Sequence, residues 1–566
     1  MTANIGFALL FAAAAVFLFW KCRFGFGNCD EAFYLATPLR LYQGDALFLT
    51  EWHLSQMSSV LLLPFVSLYM AIFKSTAGII MAFRYLYLTI HGIVSLLFFL
   101  SLRKINSFGA AVASLAFFIY APFSINAMSY NSLGIGCLAI ACVLVYSSGE
   151  KSKIKYVFSG IFYAFSVLCC PYLAVIFFIY SVAVLINELI FKKKSSENTL
   201  YLNIKPWLLF TVGVTVIAVV FLVFVLCRAS VSDIMRALPE MFNDPEHESL
   251  GLPKKAELYY KSIVELTPAS TKPLYLIFAV LFAVSLFDKK RKDGRAVYLI
   301  AFTAVALALF FIINTEKKFI NLTLLPLNIL ALGCYPVFRD NPKIRKLFCT
   351  VWITGFIYSF CIHLSSNQLY LAISSASAVS LVGSIMIIAE SYFTVIRENE
   401  KPFKMLSTLI LAVTFAVQLG MLTSYRYKEV FWEDGMETVT EKIDDGVEKG
   451  VYTSVYKKSE YQNVLKAKDY ISMYHPDAKS ILFFSDYTWP YLIFDNCTNS
   501  AYSAWLSGVS QTTFERLKVY YQINPDKLPD IVYIDRFNAD YALKFENEYG
   551  YASELLDTGA VILTIK

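Results

Sequence analysis

Residues 207–226 read WLLFTVGVTVIAVVFLVFVL, and none of these side chains is charged. An α-helix needs about 20 such residues to cross the hydrocarbon core of a bilayer. Similar runs recur along most of the chain, which has 566 residues, 57% of them hydrophobic. Only 16% are charged, against about 25% in ordinary soluble domains. The composition therefore excludes a soluble multidomain enzyme.

Charge divides the chain into two parts. Residues 426–566 hold 15 basic and 22 acidic residues, whereas the first 425 hold 34 and 21. We predict an α-helical polytopic membrane domain over 1–425 and a soluble domain over 426–566. Short apolar strands at 481–484, 531–534 and 561–564, with a helix over 512–521, predict that the second domain is α/β.

The apolar runs predict thirteen spans, at 4–20, 78–102, 107–124, 131–148, 154–169, 171–191, 205–227, 273–287, 296–313, 319–338, 347–363, 369–389 and 404–424. Alternate connections between them carry clusters of Lys and Arg, which the positive-inside rule places in the cytoplasm. The N-terminus is then inside, and the loops 21–77 and 228–272 lie outside with the C-terminal domain. The basic excess is typical of a multi-pass plasma-membrane protein and requires no nucleic-acid partner.

One apolar segment, MSSVLLLPFVSLYMAIF at 57–73, fits this scheme poorly. Counting it as a span would place the loop around Asp30 in the cytoplasm, an alternative that Lys21 and Arg23 favour. Pro64 interrupts the backbone hydrogen bonds of a helix, and the next span follows at once. We therefore predict an interfacial or re-entrant pair of half-helices at the outer face.

The first outer loop carries two adjacent carboxylates, Asp30 and Glu31, ahead of a helix predicted over 32–42. Successive residues on a helix diverge by about 100°, so at most one of the two can point into a common site. Asp30 can simply cap the helix, where the dipole favours both charges. A carboxylate beside a membrane cleft can also act as a catalytic base, so both residues are candidates.

Further polar residues follow in the same loop. Glu51 and His53 could ligate a divalent cation or bind a phosphate together with Gln56, and Trp52 suits a sugar or the headgroup region. Isolated surface residues of these types often have no such role. Glu51 and His53 are candidates because they share one outer loop with Asp30 and Glu31 in a domain that has few charges.

Four more candidates lie near the predicted outer face. Arg84 could hold a phosphate or anchor its span. Tyr130 and Asn131 could hydrogen-bond a sugar or complete a metal shell; alternatively, Tyr130 is an interfacial tyrosine and Asn131 caps a helix. His247 stands among acidic residues in the second long loop, where it could contact an acceptor or belong to a solvated loop tip.

These landmarks resemble the GT-C membrane glycosyltransferases, such as the protein O-mannosyltransferases and the bacterial enzymes that add aminoarabinose to lipid A. The resemblance rests on the first span, the Asp30-Glu31 loop, Arg84 and the connection ending in Tyr130-Asn131, and the tail from Gly435 resembles the extracytoplasmic tails of bacterial members. It implies metal binding or acceptor activation by Asp30. Members often have a second Asp where this chain has Asn131, and a neutral amide compensates the charge of a divalent cation less than a carboxylate does.

A sugar donor linked to polyprenyl phosphate fits an outer site that has no nucleotide-binding fingerprint. We therefore expect inverting hexosyl or pentosyl transfer to a cell-envelope glycan, lipid or protein, in contact with membrane lipids. A divalent cation, Mg²⁺ or Mn²⁺, could be held by Asp30, Glu51 and His53. A transporter or lipid flippase and a non-enzymatic surface-binding protein are the alternative functions.

Overall fold

The structure is a computed structural model of the chain. It describes residues 2–27, 29–149, 152–190, 200–242, 250–266, 268–287, 292–317, 320–338, 341–365, 370–375, 377–398, 401–485, 487–506 and 513–565. His247, one of the predicted site residues, lies outside the described residues.

Apolar helices make up most of the described chain. Eleven are long and apolar enough to cross a membrane: Asn4–Lys21, Gln56–Phe73, Ile79–Leu102, Tyr130–Ser147, Pro171–Ile190, Ile204–Leu226, Ala269–Phe287, Arg295–Glu316, Pro342–His363, Ala378–Glu398 and Lys401–Lys428. Two shorter apolar helices are Ser107–Ile119 and Ile154–Cys169. The prediction of a helical polytopic membrane protein with a C-terminal α/β domain is confirmed.

Two predicted spans have different boundaries in the structure. The segment predicted at 319–338 is divided into Ile320–Thr323, Leu325–Gly333 and Tyr335–Phe338. Pro326 and Pro336 stand at the starts of the latter two helices, where a missing backbone N–H costs little. The span predicted at 369–389 lies at Ala378–Glu398, preceded by the short helix Tyr370–Ser375.

Helix ends form two opposite faces of the bundle. On one face, Arg295 pairs with Glu398 at 3.9 Å, and the Nζ of Lys346 donates to the carbonyl of Ser148 at 3.1 Å. On the other face, the Tyr425 hydroxyl donates to the Asn314 carbonyl. The second face carries the α/β domain, and the first holds predicted cytoplasmic connections.

The apolar segment at 57–73 is one continuous helix, Ser59–Phe73, so the prediction of two half-helices is wrong. Pro64 lies inside it and removes one backbone hydrogen bond, but the helix packs along Asp30–Tyr42. Just before it, Trp52 N–H donates to the Tyr502 carbonyl at 2.7 Å; just after it, the Thr76 hydroxyl donates to the Leu492 carbonyl at 2.6 Å. The loop before the helix and the segment after it therefore both contact the α/β domain, which places the helix on the side of the bundle that carries the domain.

The C-terminal domain is built on a five-stranded mixed sheet. Its spatial order is Thr498–Asn499, Ser480–Phe484, Ile531–Ile534, Val561–Ile565 and Tyr551–Leu555. The first three strands are parallel and the last two pair antiparallel. The domain's helices are Val455–Tyr474, Pro490–Ile493, Thr513–Ile523 and Ala542–Tyr549. Strands and helix were predicted at these places because apolar runs bounded by turn residues are local signals.

The first loop and the α/β domain share a hydrophobic core, which contains residues such as Phe26, Phe33, Trp489 and Ile531. Two amphipathic helices, Val231–Phe242 and Leu252–Leu266, lie in the second long loop. The carbonyl of Glu240 in the first of them accepts a hydrogen bond from Arg516 of the α/β domain at 2.9 Å. Both long loops therefore lie on the face that carries the domain.

A buried cation ties the first loop to the domain. The Nε of Arg40 donates to Asp45 at 2.7 Å, and its Nη1 donates to Glu51 at 2.6 Å. Its Nη2 donates to the carbonyls of Thr50 and Ala501. Arg40 thus uses four of its five N–H groups in these bonds, and the bond to Ala501 joins residues 461 apart in sequence.

We expect Arg40→Met to lower the free energy of unfolding by about 3–5 kcal/mol, because the buried Glu51 loses its counter-charge and the buried Asp45 keeps only Lys527. Thermal unfolding in detergent measures the effect. Arg536→Met is the matched control: it removes a partly exposed partner of Glu460 and should cost no more than about 1 kcal/mol. Equal losses in the two variants would contradict a structural role for Arg40.

Candidate active site

A cavity of about 860 Å³ lies at the ends of the membrane helices, where the first loop meets the linker that leads to the α/β domain. Its wall comes from the start of the helix Asp30–Tyr42, the connection before Tyr130, the end of Arg295–Glu316 and the linker 428–435. Its lining side chains include Asp30, Tyr34, Tyr130, Asn131, Asn314, Tyr425, Lys428, Glu429, Trp432, Glu433 and Asp434. The cavity is therefore polar and acidic, at the membrane end nearest the domain.

Asp30 is the first residue of its helix and lies on the cavity wall. Cys29 occupies the N-cap and makes no side-chain capping bond, so the interpretation of Asp30 as the cap is wrong. Burial raises the pKa of Asp30, and a hydrogen bond from the indole N–H of Trp432, at 3.4 Å, opposes this rise. A carboxylate with a raised pKa is a stronger proton acceptor than an ordinary one.

Glu31 points away from the cavity, as the angular separation on a helix requires. Its carboxylate accepts from Arg84 Nε at 2.6 Å and from Arg84 Nη2 at 2.5 Å. Arg84 also donates to the carbonyls of Cys22 and Gly25, both at 2.8 Å. Arg84 is buried and absent from the cavity lining, so it is not placed to hold a donor phosphate. Glu31 is likewise a structural residue here.

The predicted metal or phosphate group around Glu51 is not assembled. Glu51 is fully buried against Arg40, and its Oε1 accepts from the backbone N–H of His53 at 2.9 Å. Within the described ranges, no three His, Cys, Asp or Glu side chains come together to hold an ion. The predicted set of Asp30, Glu51 and His53 is therefore not brought together. Instead, Glu51 pairs with Arg40, which is 11 residues away in sequence and therefore nearer to it than Asp30 is.

Three neighbours in this loop have structural contacts as well. His53 Nδ1 interacts with the Ser55 hydroxyl at 2.8 Å, and Gln56 Oε1 accepts from the Phe48 N–H at 2.8 Å. Trp52 is buried, donates to the Leu49 carbonyl and stacks on Tyr502. His53, Gln56 and Trp52 are absent from the lining of the cavity, so the structure does not place them for donor or acceptor binding there.

Tyr130 and Asn131 do line the cavity, at the start of the helix Tyr130–Ser147. Ser129 and Ser132 form a reciprocal capping box that satisfies the first backbone N–H groups. The capping function predicted for Asn131 is therefore performed by Ser129. Tyr34 and Tyr130 meet edge to face at 5.8 Å, which places two phenols beside Asp30. Sugar binding by Tyr130 and Asn131 stays a prediction.

The linker 428–435 supplies site residues that sequence reasoning missed. It lies against the first loop because Gly25, at φ +103°, leaves room: a Cβ there would stand 2.8 Å from Val430 Cγ1. Glu429 accepts from the Ser124 hydroxyl at 3.0 Å, and Glu433 pairs with Lys457 at 3.6 Å. The signal available in the sequence was the run of charges directly after the last span.

Lys428 is the one lysine or arginine among the described lining residues of the cavity. Three acidic residues that line the same cavity, Glu429, Glu433 and Asp434, follow Lys428 in the linker. The cavity thus combines one cation for an anionic group, a proton-accepting Asp30 and several hydroxyl and amide groups. That combination suits a ligand with both hydroxyls and a phosphate.

A second carboxyl group is buried behind the cavity. Glu448 is 1% exposed, and its Oε2 has no hydrogen-bond partner among the described residues. Burial, reinforced by the nearby charge of Glu31, raises the pKa of Glu448 well above its usual range. Arg84 opposes the rise but is already engaged with Glu31.

No family model matches the chain, and no curated protein matches it. Among solved structures, the chain is similar to a crystal structure of ArnT from Cupriavidus metallidurans bound to undecaprenyl phosphate. The two are 11% identical, the alignment covers 99% of this chain and 98% of that chain, and the TM-score is 0.45.

We expect Glu448→Gln to become progressively more stable than the unaltered protein as pH rises above about 4.3, the ordinary glutamate pKa. The folded state keeps Glu448 protonated while the unfolded state ionises it, so stability falls with rising pH until the folded-state pKa is reached. Between the two pKa values the difference grows by about 1.4 kcal/mol per pH unit.

Thermal unfolding in detergent across a pH series measures this difference. Glu437→Gln, at an exposed carboxylate, is the control and should show a pH dependence like that of the unaltered protein. A pH-independent difference for Glu448→Gln would show that Glu448 is ionised in the folded protein.

Proposed function

We propose that this chain is an integral-membrane glycosyltransferase that moves a sugar from a polyprenyl-phosphate-linked donor to an acceptor. The observation that carries the proposal is a carboxylate of raised pKa, Asp30, on the wall of a cavity of about 860 Å³ formed by the membrane-helix ends and the linker to the α/β domain. Small-molecule sites occupy about 300–1,000 Å³. The resemblance drawn from the sequence supports the same class of enzyme.

In the proposed step, Asp30 accepts the proton of an acceptor hydroxyl while that oxygen forms a bond to the anomeric carbon of the donor sugar. The bond between that carbon and the phosphate oxygen breaks, and its electron pair remains on the polyprenyl phosphate. Lys428 lies in the same cavity, where it can offset the negative charge of the leaving phosphate. Attack on the side opposite to the phosphate inverts the anomeric centre.

The residues proposed to contact the sugar are Tyr130 and Asn131, whose hydroxyl and amide lie on the cavity wall. We propose no metal step, because the predicted ligand set is not assembled among the described residues. Lys428 replaces Arg84, His53 and Gln56 as the proposed phosphate contact. The proposed acceptor is a hydroxyl group of a cell-envelope glycan, lipid or protein.

A transporter would be expected to place its polar site near the middle of the membrane helices. Here the polar cavity lies at the helix ends beside the α/β domain, which favours chemistry at one membrane face. Glu390, a buried carboxylate within a span, accepts hydrogen bonds from Asn106 and Arg397 near the opposite face. Glu390 is therefore paired with Arg397 and Asn106 and has a structural role.

We expect Asp30→Asn to reduce the turnover number at least about 100-fold, since general bases contribute factors of about 10²–10⁴. The assay incubates purified protein in lipid nanodiscs with a panel of polyprenyl-phosphate hexoses and pentoses and a cell-envelope acceptor fraction, and measures released polyprenyl phosphate. Asp557→Asn, an exposed carboxylate in the α/β domain, is the control.

Retained turnover in a folded Asp30→Asn protein would contradict the assignment of the base. Sugar-dependent binding that is unaffected by Asp30→Asn, with no turnover in any variant, would favour a non-enzymatic surface-binding protein. Movement of the intact donor across the bilayer of sealed vesicles, without transfer, would favour a flippase.

Because the donor sugar must face the same side as Asp30, we propose that the face carrying the α/β domain is extracytoplasmic. A cysteine introduced as Asp557→Cys, in the α/β domain, should react with a membrane-impermeant thiol reagent in intact cells. Lys153→Cys, exposed at the opposite face of the bundle, should react only after the cells are opened. The reverse pattern would place the cavity in the cytoplasm and contradict the proposed donor.

A further inference from the structure

Trp432 lies in an unusual place for a tryptophan. The N–H of Glu433 donates to the carbonyl of Val430 at 3.1 Å, which closes a tight turn with Trp432 as its third residue. Its φ is +58°, in the left-handed region that glycine and asparagine adopt most readily. A bulky residue persists there only when its surroundings hold the turn in place.

The surroundings do hold this turn. The Nζ of Lys457 donates to the carbonyl of Trp432 and also, at 2.9 Å, to the carbonyl of Phe26. The ring of Phe431 lies against Gly27, where a Cβ would come within 3.1 Å of it. The turn is therefore fixed to the first loop on both sides of Trp432.

The indole itself is largely uncommitted to packing. It is 50% exposed and lines the cavity, and its N–H reaches Asp30 Oδ2 at 3.4 Å. Large aromatic rings usually bury most of their area. The backbone of Trp432 is thus held in a costly conformation that keeps the ring exposed beside a carboxylate. The exposed face of the ring is available for a ligand.

We propose that Trp432 is the platform on which the sugar ring rests, and that its N–H orients the carboxylate of Asp30 toward the reacting hydroxyl. A pyranose or furanose ring has one face of C–H groups and a rim of hydroxyls. The C–H face can pack on the aromatic face of Trp432, and the hydroxyls can hydrogen-bond to the hydroxyl, amide and carboxylate groups of the cavity wall. This proposal rests on the proposed function and adds a sugar-binding and positioning residue to it.

Two variants separate the two parts of the proposal. Trp432→Asn keeps a residue that tolerates positive φ but removes the ring, so the protein should remain folded while KM rises about tenfold. Trp432→Phe keeps an aromatic face but removes the N–H, so KM should change less than about threefold while kcat falls about tenfold. Phe537→Ala, an exposed aromatic outside the cavity, is the control for both.

A binding measurement makes the test independent of transfer. The probes are soluble hexose and pentose 1-phosphates added to protein in nanodiscs, read by intrinsic tryptophan fluorescence. A change is expected in the unaltered protein and in Trp505→Phe, which removes a tryptophan outside the cavity lining, and it should disappear in Trp432→Phe.

Each outcome bears on the proposal. Binding that depends on Trp432, without transfer in any protein, supports the platform and overturns the enzyme. Transfer with unchanged KM in Trp432→Asn overturns the platform and leaves the enzyme. An unchanged kcat in Trp432→Phe overturns the orientation of Asp30. A fluorescence change that survives undiminished in Trp432→Phe would come from another tryptophan, so the sugar would not rest on the Trp432 ring, and the platform is overturned.

Discussion

The buried ion pair between Glu31 and Arg84 is the constraint on which the arrangement of the site depends. It joins the first turn of the helix Asp30–Tyr42 to the span Ile79–Leu102, and Arg84 also holds the backbone after the first span. Breaking a buried pair from one side costs about 3–5 kcal/mol, so the rotation of the helix is firmly set. Once Glu31 is fixed inward, its neighbour Asp30 must face the cavity.

Other contacts of the first loop join the membrane bundle to the α/β domain. The loop that carries Asp30 packs into the domain's core, and Arg40 bonds to the carbonyl of Ala501. The linker that follows the last span then passes over Asp30 and contributes Lys428 and Trp432 to the cavity. The site is therefore completed by the linker that leads to the domain. Motion between them would change the distance from Trp432 to Asp30 directly.

Sequence reasoning found Asp30, Tyr130 and Asn131, because each stands at a helix start next to an apolar span, and such positions face the membrane surface. It misplaced Arg84 and Glu51 because a charge in an apolar context signals burial or function equally well. The deciding partners, Glu31 for Arg84 and Arg40 for Glu51, were visible as residues but not as contacts. Trp432 was missed because it is far from Asp30 in sequence, and its left-handed backbone is not encoded by residue type.

The sequence by itself determined the membrane character, the series of apolar helices and the α/β nature of the tail. These follow from hydropathy, charge density and short periodic runs, which are local properties of the chain. Only the tertiary structure decided which carboxylates are paired with arginines, that 59–73 is one helix lying along the domain, and that the linker completes the cavity. Those outcomes depend on which distant groups meet, since a buried charge takes whichever partner the packing brings within hydrogen-bond distance.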